Sequence, residues 1–158
     1  MKKRFTSAFS LVELTIAIGI AAFCLIAVFG LVPIGVQTNR NATSQTAATS
    51  IVSSVLADIR TTAGTTASAT PSPLYQIVVP ARDSSNTTPQ TRYFGSTGQF
   101  TTSLDGNSRY QLNVTFPANP GPGTFKATYA NVKVTWPAAA TAANASGSAE
   151  MFVAFDRN

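Results

Sequence analysis

The chain has 158 residues, 44% of them hydrophobic and only 11% charged, which accommodates one domain with an appendage. The absence of histidine and the single cysteine, Cys24, remove the commonest general base, the commonest metal ligand and any internal disulfide framework, so an enzymatic reading starts badly and no cofactor is implied. The formal net charge of +5 owes three cations to Lys2, Lys3 and Arg4; the other eight are scattered against six anions, which argues against the clustered phosphate contacts that nucleic acid requires.

Residues 14–36 carry no charge and are rich in Ile, Ala, Leu, Val and Phe. Twenty-three such residues suffice to cross a hydrocarbon core of about 30 Å as a helix. The basic start places the N-terminus in the cytoplasm and the C-terminal body on the other side, by the positive-inside tendency. A secretory signal begins the same way, but its apolar run is shorter, about 7 to 15 residues, and ends at a small-residue cut. Cys24 reads as a small hydrophobe within the run, and Phe23 beside it argues against lipid attachment. One residue breaks the pattern of a plain anchor. Glu13 stands at the edge of the apolar segment, where an ionised carboxylate is costly unless it reaches headgroup water or finds a partner.

The neighbours of Glu13 read Ser7-Ala8-Phe9-Ser10-Leu11-Val12-Glu13-Leu14. This stretch resembles the cleavage and methylation signal of type IV prepilins and type II secretion pseudopilins. The resemblance implies a cut by prepilin peptidase between Ala8 and Phe9, N-methylation of Phe9, and an assembly role for Glu13 as the fifth residue of the mature chain. Ala8 departs from the glycine preferred before the cut, although alanine is tolerated in the family. The start and the Leu31-Val32-Pro33-Ile34-Gly35 segment also resemble minor PilV-like pilins, I-type pseudopilins and the prepilin-like proteins of the Verru-Chthon cassette. The partners implied are the prepilin peptidase and methyltransferase, other pilin or pseudopilin subunits, and an inner-membrane assembly platform. The implied course is a single-pass inner-membrane protein with a periplasmic head, followed by a periplasmic or cell-surface filament. A carboxylate offered by Glu13 to the new terminal amine of a neighbouring subunit would pair two charges that are each costly in an apolar setting.

Gly30, Pro33 and Gly35 fall late in the run, and a proline inside a helix removes a hydrogen bond and crowds the preceding turn, so a kink or local melting is expected there. Beyond it, Ala48, Ile51, Val52, Val55, Leu56 and Ile59 recur at helical spacing within residues 37–60, predicting an amphipathic helix whose stripe packs on a sheet. Residues 61–73, with Gly64, Pro71 and Pro73, read as an exposed linker.

Residues 74–158 read as a β-rich head, with strand-type runs at 74–79, 91–94, 109–116, 125–136 and 150–155. Tyr110, Leu112, Val114 and Phe116 alternate strictly. In the run 125–136 the apolar parity changes between Tyr129 and Val132, predicting a bulge or turn near Ala130 and Asn131. Asp105-Gly106-Asn107 has too few oxygen ligands in sequence for calcium and reads as a hairpin turn; residues 117–123, rich in Pro and Gly, read as a second turn. Tyr75, Tyr93, Tyr110, Tyr129 and Trp136 read mainly as core. Asn41, Asn86, Asn113 and Asn144 open glycosylation-type triplets to which no role is assigned.

The expected fold is therefore α+β: a cleavable leader at 1–8, a membrane and polymerisation helix at 9–36, an amphipathic helix at 37–60, a linker, and a head built on a small antiparallel sheet. The expected function is that of a structural filament subunit. Alternatives at this stage are a membrane-tethered ligand-binding or adhesion module, a competence-type pilin for DNA uptake, and an ordinary anchored envelope protein.

Overall fold

The computed structural model describes residues 10–63, 68–81, 84–118, 127–141 and 143–156. The leader, Ala8 and Phe9, Gly64, and residues 119–123 of the segment 117–123 expected to turn lie outside the described residues. The chain forms two compact units, Met1–Asn41 and Ala42–Asn158. One helix, α1 (Leu11–Ala63), contributes to both. It ends three residues later than the spacing predicts, at the start of the Thr/Ala/Gly-rich segment.

Over residues 11–36, Glu13 apart, α1 is apolar on every side. Leu11 is 79% exposed, Phe23 74% and Ile26 72%. An 18-residue window reaches a mean hydropathy of 2.7, and the helix is long and apolar enough to cross a membrane. The Thr15 hydroxyl, the one neutral polar group within this stretch apart from the thiol, donates to the Val12 carbonyl at 2.8 Å and so presents little unsatisfied polarity to an apolar surrounding. Gly30, Pro33 and Gly35 all lie inside the helix, which is not melted at Pro33.

The second unit holds the core. Ala48, Ile51, Val52, Val55, Leu56 and Ile59 of α1 are all buried, as the helical spacing predicts. They form one cluster with the inward residues of the sheet, among them Phe94, Leu112, Val114, Phe116, Val132 and Val134. Burying a side chain of this size is worth about 1.5–3 kcal/mol each, which offsets the weak helix propensity of the Thr and Ser residues between them.

The sheet has five antiparallel strands in the order β4-β3-β5-β6-β7: β3 (Asn86–Gly95), β4 (Phe100–Thr101), β5 (Ser108–Phe116), β6 (Thr128–Trp136) and β7 (Gly147–Phe155). A separate two-stranded pair joins β1 (Thr70–Pro71) to β2 (Val78–Val79). The fold is thus α+β, with one long apolar N-terminal helix and an antiparallel sheet.

Four details differ from the sequence reading. β6 is continuous, with unbroken register to both β5 and β7, so there is no bulge at Ala130 and Asn131. Thr128, Ala130, Val132, Val134 and Trp136 face the core, while Tyr129 lies on the opposite face and stacks on Phe152 at 5.5 Å. The aromatic residue is therefore not a guide to the inward face. The segment 61–73 is not a plain exposed linker, since Thr62 and Ser72 are buried and Thr70–Pro71 is a strand. In the run 74–79 only Val78–Val79 is a strand, because a turn occupies residues 73–75. Finally, Asp105-Gly106-Asn107 is a turn but not a hairpin: β4 and β5 flank β3 on opposite sides, so the turn belongs to a connection that passes the end of β3.

Candidate functional site

The segment singled out by sequence is the start of α1. Glu13 lies in the first turn, the favourable end of the helix dipole for a carboxylate. It is exposed among Leu11, Val12, Leu14 and Ile16, themselves exposed. Among the described residues none makes a hydrogen bond or ion pair with its side chain. Ala8 and Phe9 are outside the described residues, so no geometry relates them to Glu13. What residues 11–36 of the helix offer chemically is one carboxylate on an otherwise apolar cylinder.

A polar surface lies at the β3 to β5 end of the sheet. The Asp105 carboxylate accepts hydrogen bonds from the Asn107 backbone N–H at 3.0 Å and from the Ser108 hydroxyl at 2.7 Å. These bonds, the Ser108 one foremost, hold its pKa below the ordinary carboxylate range. The turn borders a cavity of about 300 Å³ lined by Gly95, Thr97, Gln99, Thr101 and Ser108 among others. Its side chains are hydroxyls and amides with one carboxylate, and the carboxylate is engaged in shaping its own turn. Among the described residues no group of three or more His, Cys, Asp or Glu side chains could hold a metal ion.

Sequence reasoning assigned nothing to Asp58, Gln90 and Arg92, which act together. Asp58, buried on α1, accepts the backbone N–H groups of Leu74 and Tyr75 at 3.1 and 3.0 Å. Arg92 on β3 donates through Nε to the Tyr75 carbonyl at 2.9 Å and through Nη2 to the Gln76 carbonyl. The Gln90 amide both accepts from Val78 N–H at 2.7 Å and donates to Val78 O at 2.8 Å, imitating one rung of a β-ladder. Gln76, with φ of 56°, is the turn residue that these groups hold. The signal was present in pattern: Asp58 is an acid beside the apolar stripe, and Gln90 and Arg92 share the inward parity of Phe94.

On the solvent face Lys133 meets Glu150 at 3.2 Å and Asn131 donates to Glu150 at 2.9 Å. Comparison with known proteins adds no identity to this geometry: no family model, curated protein or solved structure matches the chain.

Proposed function

We propose that the protein is a structural filament subunit of the type IV pilin or type II secretion pseudopilin kind, processed before Phe9 and assembled through its N-terminal helix. One observation carries the reading: Glu13 is the sole charge in a helix segment that is apolar and exposed all round, and it has no partner among the described residues of its own chain. Such a carboxylate is costly in a membrane or in a filament core unless another molecule supplies a cation. The terminal amine released by a cut before Phe9 is a cation of the required kind, four residues away in sequence and offered by a neighbouring copy. The spacing of Ala8, Phe9 and Glu13, the apolar run after them, and a head in which the later part of α1 packs on an antiparallel sheet all support this reading.

On this account the precursor sits in the inner membrane with its basic leader in the cytoplasm and its head in the periplasm. Lys2, Lys3 and Arg4 hold it there until the peptidase removes them. Gly30, Pro33 and Gly35 are the residues at which the helix would bend or unwind on entering a filament, since Pro33 leaves the Phe29 carbonyl without its helical donor. Whether the machine is a pilus, a secretion apparatus or a competence system is set by its other components. The test is incorporation of Glu13→Ala in the producing cell: processing stays largely intact while the share of chain in sheared filaments falls at least tenfold. Normal incorporation of the variant would refute the role given to Glu13.

A further inference from the structure

Arg40 is the only charged residue between Glu13 and Asp58, and among the described residues it makes no hydrogen bond or ion pair. It stands four residues past Val36, the end of the uncharged run, and so about 6 Å further along the helix. The polar layer on each side of a hydrocarbon core is roughly 5–7 Å deep, so a chain that crosses with residues 14–36 in hydrocarbon holds Arg40 at the level of the lipid phosphates. The surface of α1 is zoned in the same sense. A hollow of about 350 Å³ is lined by Val32, Pro33 and Val36 below and by Gln37, Arg40 and Asn41 above, all six exposed. Side chains on a helix lean toward its N-terminus, and positions three and four apart share a face, so the Arg40 stem leans over Val36 toward the apolar run.

We propose that this hollow is a phospholipid site on the side of the membrane opposite the leader. The Arg40 guanidinium takes the phosphodiester, the amides of Gln37 and Asn41 take the hydroxyls of the headgroup, and an acyl chain lies along Val36, Pro33 and Val32. The geometry selects an anionic lipid with a glycerol headgroup, phosphatidylglycerol. Its phosphodiester accepts the paired N–H donors of the guanidinium, and its hydroxyls both donate to and accept from side-chain amides. A zwitterionic lipid would bring an ammonium beside Arg40 to a site that offers it no carboxylate. The next acid along the helix, Asp58, is buried and already accepts from Leu74 and Tyr75. The inference rests on the membrane course given to α1, and on neither the cut before Phe9 nor the role of Glu13.

The experiment takes the full-length chain from cell membranes into detergent containing equal amounts of phosphatidylglycerol and phosphatidylethanolamine, and counts retained lipid by native mass spectrometry. About fivefold more phosphatidylglycerol than phosphatidylethanolamine is expected on the parent, the size of one cation's attraction for an anionic lipid surface. Arg40→Gln is expected to abolish the preference, whereas Arg60→Gln, at another exposed cation of the same helix, keeps it. Arg40 has no partner within its own chain to lose, so Trp136 emission should not change in the variant. Equal retention of the two lipids, or a preference that survives Arg40→Gln, would overturn the proposal. Should Arg40→Gln lower filament incorporation while retained lipid stays the same, the residue would belong to a carboxylate of a second copy instead. Release of the parent chain from membranes by alkaline carbonate would overturn the membrane course too, whereas an integral chain without lipid preference would overturn this site alone.

Discussion

Asp58 and Arg92 grip one turn by opposite kinds of atom: the helix carboxylate takes the N–H groups of Leu74 and Tyr75, and the strand guanidinium takes the carbonyls of Tyr75 and Gln76. The turn carries Tyr75 into the core, where it meets Phe94 and Phe100 at centroid distances of 5.5 and 5.4 Å. A polar clamp thereby fixes an aromatic cluster.

Asp58→Ala removes the acceptor of two N–H groups, the Tyr75 one buried, while the donors stay behind. Hydrogen bonds to an ionised group are worth about 1.5–3 kcal/mol, and a stranded buried donor carries its desolvation cost, so a loss of about 2–3 kcal/mol is expected. Denaturant unfolding of the detergent-solubilised chain should show a lower midpoint at unchanged slope. A midpoint within experimental error of the parent would show that the turn holds without the clamp.

Arg92→Lys keeps the charge but not the fork that reaches two carbonyls. The expected result is faster amide exchange at Ile77 and Val78, whose N–H groups bond to Ser72 Oγ and Gln90 Oε1 within the same held segment. Exchange in β5 and β6 should not change. Uniform acceleration across the head would mean global destabilisation instead of a local release.

Gly147 faces the only tryptophan. A Cβ added there would lie 2.3 Å from Trp136 Cζ2, a ring atom that cannot swing aside as a flexible chain end does. Gly147→Ala should cost about 1–3 kcal/mol by overpacking and shift Trp136 emission to the red as the ring is displaced. Unchanged emission and stability would place the ring elsewhere.

Protonation gives a prediction with a definite sign. The folded-state pKa of Asp105 is lowered by the Ser108 hydroxyl and the turn N–H groups, and that of Glu150 by Asn131 and Lys133. Lowered carboxyl pKa values contribute stability that is present above the unfolded-state values and lost as pH falls through the folded ones. Both groups are solvent-exposed, so the contribution is small. An NMR titration of the carboxyl carbons should find Asp105 titrating below the ordinary aspartate range in the parent and higher in Ser108→Ala. Coincident curves would exclude the hydroxyl as the main cause.

The amphipathic half of α1 was legible because the six apolar residues from Ala48 to Ile59 follow one helical period, and every one is buried. β5 was legible for the same reason at period two. β6 was misread because Tyr129 is apolar in composition yet sits on the solvent face, where Phe152 of a strand distant in sequence covers it. The strand β1 and the clamp were invisible because their causes are long-range: Thr70 pairs with Val79, and Asp58 reaches sixteen residues on to Leu74. Glu13 stood out in sequence through its cost in an apolar run, and the structure leaves it exposed on such a run.

The central claim, that this chain is a prepilin-type filament subunit, rests on what becomes of its first eight residues. Intact-mass and N-terminal peptide analysis after coexpression with a prepilin peptidase addresses it most directly. The account predicts a chain beginning at Phe9, with the terminal amine methylated where the enzyme carries that activity. An intact Met1, or a cut at any other bond, would contradict it.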